Sequence, residues 1–493
     1  MQRIPIMDSL SSMLYWRQVN KNLLDLSILE LAKRLQDKSI TSVELVDESY
    51  ERMEASESVI HAAITIRDKK EALALAKKAD ETRTAHSSPL HGMPYVVKDG
   101  YVTKDLRTTA ASKVLDTFMS PYNATVIEKL EAKGAILIGK MNMDAWGHGA
   151  STENTDYPVT KNPWDITRSA GGSGGGPAAA IALRYVPFAI GEDTGGSIRL
   201  PAAWCGITSL KVTYGRVSRY GAIAYASSLD TVGPTAKTAE DCAVVLEAIA
   251  GVDPKDATSS PHAVDDYANG MTKSLTGKRI AFPTEYYKEG LDTEIKAAIF
   301  KAREQFVSLG AVVEDVSMPL LEFGVPVYYI LAPSETSSNL GRYDGVRYGN
   351  GRELFTKETS RRVMTGTYAL SSGYYDAYYK KAQKARTVFI KNYASILSKY
   401  DAILAPVTTV PATKFGALLE DPVANMMMDV YNVTVNIVGV PSLALPCGFT
   451  KDGLPMGMQL IGNMHGEKTL ISLGSAYQSA TDWHTKTPQG VTI

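Results

Sequence analysis

Residues 169–206 read SAGGSGGGPAAAIALRYVPFAIGEDTGGSIRLPAAWCG, and this stretch decides the fold. Ser173 and Ser197 are each flanked by glycine and lie 24 residues apart. The spacing between them predicts a helix of about two turns over 177–184, then a strand over 186–191. A helix runs away from its N-terminal loop and the strand returns, which sets both serines at one edge of a sheet. The glycines let the backbone approach a substrate closely. The helix N-terminus after Ser173 points unpaired N–H groups at that edge.

Working outward, the same alternation continues. Pro94–Lys98 is a short buried-strand pattern ending on a lysine, Ala124–Lys133 reads as a helix, and AILIGK (135–140) as a strand. Three helical patterns precede them: SILELAKRLQDK, SVELVDESYERMEA with Ser42 as its cap, and KKEALALAKKADE. Beyond the polar loop VDPKDATSS come KRIAFP (278–283), a helix over 293–310, and three core strands in DAILAPV, SLALPCG and MGMQLIG. This predicts an α/β protein with a large central sheet flanked by helices on both faces. Residues 1–22 read as an N-terminal extension or arm. Residues 23–493 read as one domain, with 255–400 as a possible inserted subdomain.

Composition narrows the class. Lys plus Arg is 52 and Asp plus Glu is 53, a net charge of −1. A chain so balanced does not grip nucleic acid through its own field. The longest apolar candidate, Pro177–Ile190, is broken by Arg184 and Pro187, so no membrane span is expected. Three cysteines cannot build a disulfide framework and fit a reducing, cytoplasmic setting. No histidine or cysteine spacing suits a metal, and no cofactor is expected.

Several chemistries could use the glycine-rich run. A phosphate loop needs Gly-Lys-Ser/Thr at its end, where Pro177 stands. The dinucleotide fingerprint G-x-G-x-x-G is not supplied. Gly171–Gly175 does match the G-x-S-x-G elbow of α/β-hydrolase esterases, but His262, His465 and His484 stand in no distinctive setting. A serine nucleophile without histidine needs another base, and a lysine serves when it is neutral. Lys98 is the candidate, although lysines at strand ends are usually solvated.

GMPYVVKDG, GGSGGGPAAA and GEDTGGSIRLPAAWCG together resemble the amidase signature family of serine hydrolases. The resemblance implies that family's fold and a Ser-Ser-Lys triad. Ser197 would be the nucleophile, Ser173 the bridging serine on a cis peptide after Gly172, and Lys98 the base. The N–H groups of Thr194, Gly195, Gly196 and Ser197 would form the oxyanion hole. The reaction implied is hydrolysis of a carboxamide through an acyl-enzyme. From about Leu24 to His484 the runs MNMDAWGHGASTEN, SSNLGRYDGVRYG and MTGTYALSSGYYDAYYKKAQKART look like glutamine-hydrolysing A subunits of tRNA-dependent amidotransferases. That implies Tyr328, Arg362 and Asp429 as substrate-binding residues, with Arg362 clamping an α-carboxylate and Asp429 an α-ammonium. It also implies B and C subunits as partners.

The sequence departs from the family pattern in places. Gly174 stands where a second serine is usual, and Glu192 where a small hydroxyl residue is usual. The segment between Tyr348 and Arg361 is short, and the first 20 residues are an extension. A free-standing amidase acting on aryl or alkyl amides or carbamates is therefore the alternative, with an inactive scaffold as a further one. The tyrosines and lysines of 373–386 could stack RNA bases; the expected arrangement is instead tyrosines packed on the core with the lysines solvated.

Overall fold

The computed structural model describes residues 22–269, 271–347, 349–419 and 421–489. The expected arm, residues 1–22, lies outside the described residues apart from Asn22. Among the described residues eleven strands form one sheet and two short ones pair beside it. In chain order these are β1 (Ala63–Ile66), β2 (Pro94–Lys98), β3 (Ile136–Met141), the short pair β4 (Lys161–Asn162) and β5 (Asp165–Ser169), β6 (Phe188–Asp193), β7 (Thr208–Lys211), β8 (Thr231–Ala236), β9 (Arg279–Pro283), β10 (Val312–Val316), β11 (Ala402–Pro406), β12 (Ser442–Phe449) and β13 (Pro455–Ile461). The sheet order is β1-β3-β2-β6-β8-β7-β12-β13-β11-β9-β10. β3, β2 and β6 run parallel, the middle strands pair antiparallel, and β11, β9 and β10 are parallel again. β9 and β10, from within the 255–400 stretch, extend this same sheet at its edge.

The central strands are mainly apolar because helices cover both faces. β2, β3, β6, β8, β11 and β13 are buried at every position. One large core cluster includes Tyr95, Phe188, Leu443 and Leu460; a second holds Val96, Ala189, Trp204 and the alanines of the helix Gly175–Ala182. Successive side chains of a strand point to opposite faces, so neighbours such as Tyr95 and Val96 fall into different clusters.

The decisive stretch folds nearly as its pattern reads. The helix runs Gly175–Ala182 and the strand Phe188–Asp193, each offset by two residues from the expectation. β2 and β6 are parallel neighbours, with Val97 opposite Ile190, so Lys98 and Asp193 leave the sheet at the same edge. In the N-terminal helix Ser42–Ile60, Thr41 rather than Ser42 is the cap, closing a capping box with Glu44.

The helix carrying the alanines sits very close to the chain beneath it. A Cβ on Gly176 would fall 2.4 Å from the Ala62 carbonyl oxygen and 2.5 Å from the Asn142 nitrogen. Gly176→Ala is expected to destabilise the fold by about 1–3 kcal/mol through overpacking, read from the denaturant midpoint; an unchanged midpoint would show that the backbone yields freely there.

Candidate active site

The sheet edge where β2 and β6 end carries a dry polar cluster. Lys98, the last residue of β2, is 1% exposed and donates from Nζ to Ser173 Oγ at 2.8 Å. Nζ also lies 3.5 Å from the Glu192 carbonyl oxygen and 3.5 Å from Glu192 Oε2. The Gly172–Ser173 peptide is cis. A Cβ on Gly172 would fall 2.1 Å from Asp144 Oδ2, so only glycine fits there. Asp144 fastens this loop: its N–H donates to the Ser173 carbonyl oxygen (3.0 Å), and its carboxylate accepts from the Thr152 and Asn154 N–H groups (2.9 and 3.0 Å). Burial pushes the Asp144 carboxyl up to about 6.

Ser197 sits on the turn between β6 and the helix Arg199–Cys205. It joins the Ser173 loop through its backbone, its carbonyl oxygen accepting from the Gly174 N–H at 3.0 Å. Among the described residues no hydrogen bond links the two serine hydroxyls. The Gly196 N–H is committed to Asp193 Oδ1 (2.8 Å). Those of Thr194, Gly195 and Ser197 have no acceptor among the described residues, which leaves three donors on one turn for a developing oxyanion. Gly196 holds φ at +132°, where a side chain would be strained.

Beneath this turn lies a buried ion pair. Arg199 Nε and Nη2 donate to Asp193 Oδ2 and Oδ1, both at 3.0 Å, and neither side chain is exposed. Arg199 also donates to Gln459 Oε1 (2.8 Å) and Asn436 Oδ1 (2.6 Å). Against burial, which would raise it, Arg199 holds the Asp193 carboxyl well below the usual range.

Two helices close the site from the other side. Tyr328 lies on Gly324–Asn339, and a Cβ on Gly195 would meet its ring at 2.6 Å. Arg362 lies on Lys357–Ala369. It donates from Nε to Glu358 Oε1 (2.7 Å) and from Nη1 to the Tyr225 hydroxyl, with the Tyr225 and Tyr329 rings against its guanidinium. The Tyr329 hydroxyl donates to Asp429 Oδ2 at 3.1 Å. Burial raises the Asp429 carboxyl to about 7, with Arg362 opposing. His148 bridges the two helices through the Thr336 and Thr359 hydroxyls at 3.0 and 3.2 Å, and burial with Arg362 nearby keeps its ring neutral.

Lys98 and Ser173 are therefore in direct contact, Ser197 adjoins them, and Tyr328, Arg362 and Asp429 form a second group linked by aromatic rings. Sequence reasoning missed Tyr225, Tyr329, Asp144, Glu358 and Asp230, whose carboxylate accepts from the Thr194 hydroxyl at 2.7 Å. Glu358 had a readable signal, standing four residues before Arg362 on a helix; the others are assembled across long separations. The expected packing of the 373–386 tyrosines is corrected. Tyr374, Tyr375 and Tyr378 are exposed, because they lie in the turns before the helix Tyr379–Leu397; Tyr374 and Tyr378 pack their rings on each other and on Tyr368, and Tyr375 packs on Tyr379.

A lysine, two serines and unpaired N–H groups on a glycine turn are equipped for acyl transfer without metal or histidine. The class follows from comparison with known proteins. The amidase family matches residues 44–471, and the chain belongs to that family: it is an amidase, a hydrolase built on the amidase signature fold. It is 47% identical over 484 residues to the A subunit of the glutamyl-tRNA(Gln) amidotransferase of Geobacillus kaustophilus (strain HTA426), covering 95% of this chain and 99% of that one. The crystal structure of the corresponding protein from Thermotoga maritima superposes with a TM-score of 0.83 at 34% identity, covering 96% and 99%. The peptide amidase of Stenotrophomonas maltophilia gives 0.80 at 28% identity, covering 95% and 99%. Among the described residues no helix is long and apolar enough to cross a membrane.

Arg199→Met leaves the Asp193 carboxylate buried without its cation. The expected loss is about 3–5 kcal/mol of stability, measured by chemical denaturation; a loss below about 1 kcal/mol would mean that water reaches Asp193.

Proposed function

We propose that this chain hydrolyses glutamine to glutamate and ammonia through an acyl-enzyme on Ser197. The observation that carries the reading is the 2.8 Å contact from Lys98 Nζ to Ser173 Oγ within a buried loop beside Ser197. Lys98 Nζ takes the Ser173 proton while Ser173 takes that of Ser197, and the Ser197 oxygen attacks the carboxamide carbon. The tetrahedral oxyanion is held by the N–H groups of Thr194, Gly195 and Ser197. The proton on Lys98 returns through Ser173 to the leaving nitrogen, and ammonia departs. Water then attacks the ester by the same relay, releasing glutamate and restoring the Ser197 hydroxyl.

Arg362 supplies the charge for the α-carboxylate and Asp429, above about 7, the charge for the α-ammonium. Tyr225 and Tyr329 exclude water from the Arg362 guanidinium and strengthen that contact. The similarity to amidotransferase A subunits over nearly the full chain supports glutamine as substrate, with B and C subunits as partners. The second reading, a free-standing amidase for neutral amides or carbamates, is favoured by one observation. Glu358 already holds one side of Arg362, leaving less of the guanidinium for a carboxylate.

Ammonia release from the purified chain separates the two. Glutamine turnover abolished by Ser197→Ala, together with covalent labelling of Ser197 by a fluorophosphonate, is expected. Efficient turnover of neutral amides with negligible glutaminase activity would assign the second reading. Arg362→Ala is expected to raise KM for glutamine about 10- to 100-fold, the cost of charge-assisted hydrogen bonds, and to leave KM for a neutral amide nearly unchanged; equal effects would remove Arg362 from substrate binding. Because Asp429 is protonated below about 7, KM for glutamine should fall as pH rises through about 7 and that of a neutral amide should not. The same slope in Asp429→Asn would show that another group titrates.

A further inference from the structure

Glu192 is a buried carboxylate that the proposed relay does not use. Oε2 lies 3.5 Å from Lys98 Nζ, while Oε1 has no hydrogen-bond partner among the described residues. Both residues line the same sheet edge, Lys98 from β2 and Glu192 from β6. A cavity of about 120 Å³ is lined by Glu192, Arg219, Tyr220, Asp230, Lys255 and Asp256. Lys255 is exposed, so the cavity extends from the buried glutamate to the surface. Arg219 Nε, on the cavity wall, likewise has no partner among the described residues. A space of this size with an orphan donor and an orphan acceptor on its walls suits water, which would solvate the Glu192 anion from the side away from Lys98.

The neighbouring charges settle which carboxylate answers Lys98. Asp230 accepts from the Thr194 hydroxyl (2.7 Å) and from the Tyr225 and Ala226 N–H groups, and so is satisfied within its own turn. Asp193 is turned to Arg199. The Tyr101 hydroxyl donates to the Gly191 carbonyl oxygen. Asp144 lies on the Ser173 side of Lys98 and is held by backbone N–H groups. Lys255 is exposed at the outer part of the cavity wall, and the buried Asp256 accepts from the Arg219 N–H (2.8 Å) and lies 4.0 Å from its guanidinium. Among these, only the Glu192 carboxylate makes an ion-pair contact with Nζ, and Arg219 is the cation that faces it from the cavity. Burial raises the Glu192 carboxyl, opposed by Lys98 and Arg219.

We infer that Glu192 is a positioning residue that acts through Lys98: its carboxylate holds the proton on the amine and thereby sets the pH below which the enzyme is silent. This rests on Lys98 being the base, as proposed above. When the amine loses its proton the proton leaves to bulk water, and the relay becomes competent. Glu192 thus acts as a brake on the base and contributes no step of the chemistry.

The test is the rate at which a fluorophosphonate labels Ser197, followed from pH 5 to 10 in the full chain. It needs no knowledge of the substrate and does not depend on Asp429. Glu192→Gln keeps the shape and removes the charge, and Glu192→Ser removes most of the side chain. Both should move the acid limb of the labelling rate to lower pH by about one to three units, the effect of an opposite charge at this range. Labelling one unit below the wild-type limb should then rise about tenfold. A merely structural role would slow labelling at every pH and leave the limb in place. An unmoved limb in both variants, or a limb moved to higher pH, overturns the inference. Lys98→Ala separates its failure from that of the reading beneath it. Labelling that persists at the wild-type rate in Lys98→Ala removes the lysine base itself. Labelling lost in Lys98→Ala with unmoved limbs in the Glu192 variants removes only the role of Glu192.

Discussion

The buried pair of Asp193 and Arg199 is the contact on which the turn Thr194–Ser197 depends. Asp193 ends β6 at the sheet edge, and its carboxylate takes two hydrogen bonds from Arg199 and one from the Gly196 N–H. The guanidinium spends its other donors on Gln459 of β13 and on Asn436. Asn436 Nδ2 returns a bond to Asp193, and Gln459 Nε2 bonds the Pro406 carbonyl oxygen at the end of β11. One charge pair therefore ties the turn to strands from the far half of the sheet. A pair taken out of water holds its geometry only when its remaining donors and acceptors find partners, and here each guanidinium nitrogen and each carboxylate oxygen has at least one. The three N–H groups left open on the turn are thus presented in a fixed direction.

Around that turn the site is enclosed on one side and opens to a cavity on the other. Tyr225, Tyr328 and Tyr329 gather at Arg362 and Asp429, where low dielectric strengthens each charged contact. The opposite side, at Glu192, opens through a cavity to Arg219 and Lys255. Lys98 stands between the two. The chain is similar both to amidotransferase A subunits and to a peptide amidase, so one scaffold carries proteins of more than one named activity.

The legible part of this protein is the part made of short-range pattern. The run from Ser169 to Gly206 carries its own helix, strand and turns, since alanines after a glycine loop and an apolar run before Gly-Glu-Asp leave few other choices. The helix's two-residue offset arises because Pro177 is accepted inside the first turn of a helix that begins at Gly175. Tyr374, Tyr375 and Tyr378 depart from expectation for a related reason. Apolar bulk predicts burial only when the backbone directs it inward, and a turn before a helix has no inward face.

By itself the sequence determined the alternation of strands and helices, the placement of Ser173 and Ser197 at one sheet edge, and Lys98 as a lysine at a strand end. Tertiary structure decided that Lys98 is buried and bonded to Ser173, that Gly196 spends its N–H on Asp193, and that Asp144, Asp230, Tyr225 and Tyr329 gather around these residues. It also decided that Glu192 faces both Lys98 and a cavity. The physical reason is range. Helix and strand periods are written in residues a few places apart, whereas burial and charge pairing depend on groups that meet only when β2, β6 and the covering helices are assembled.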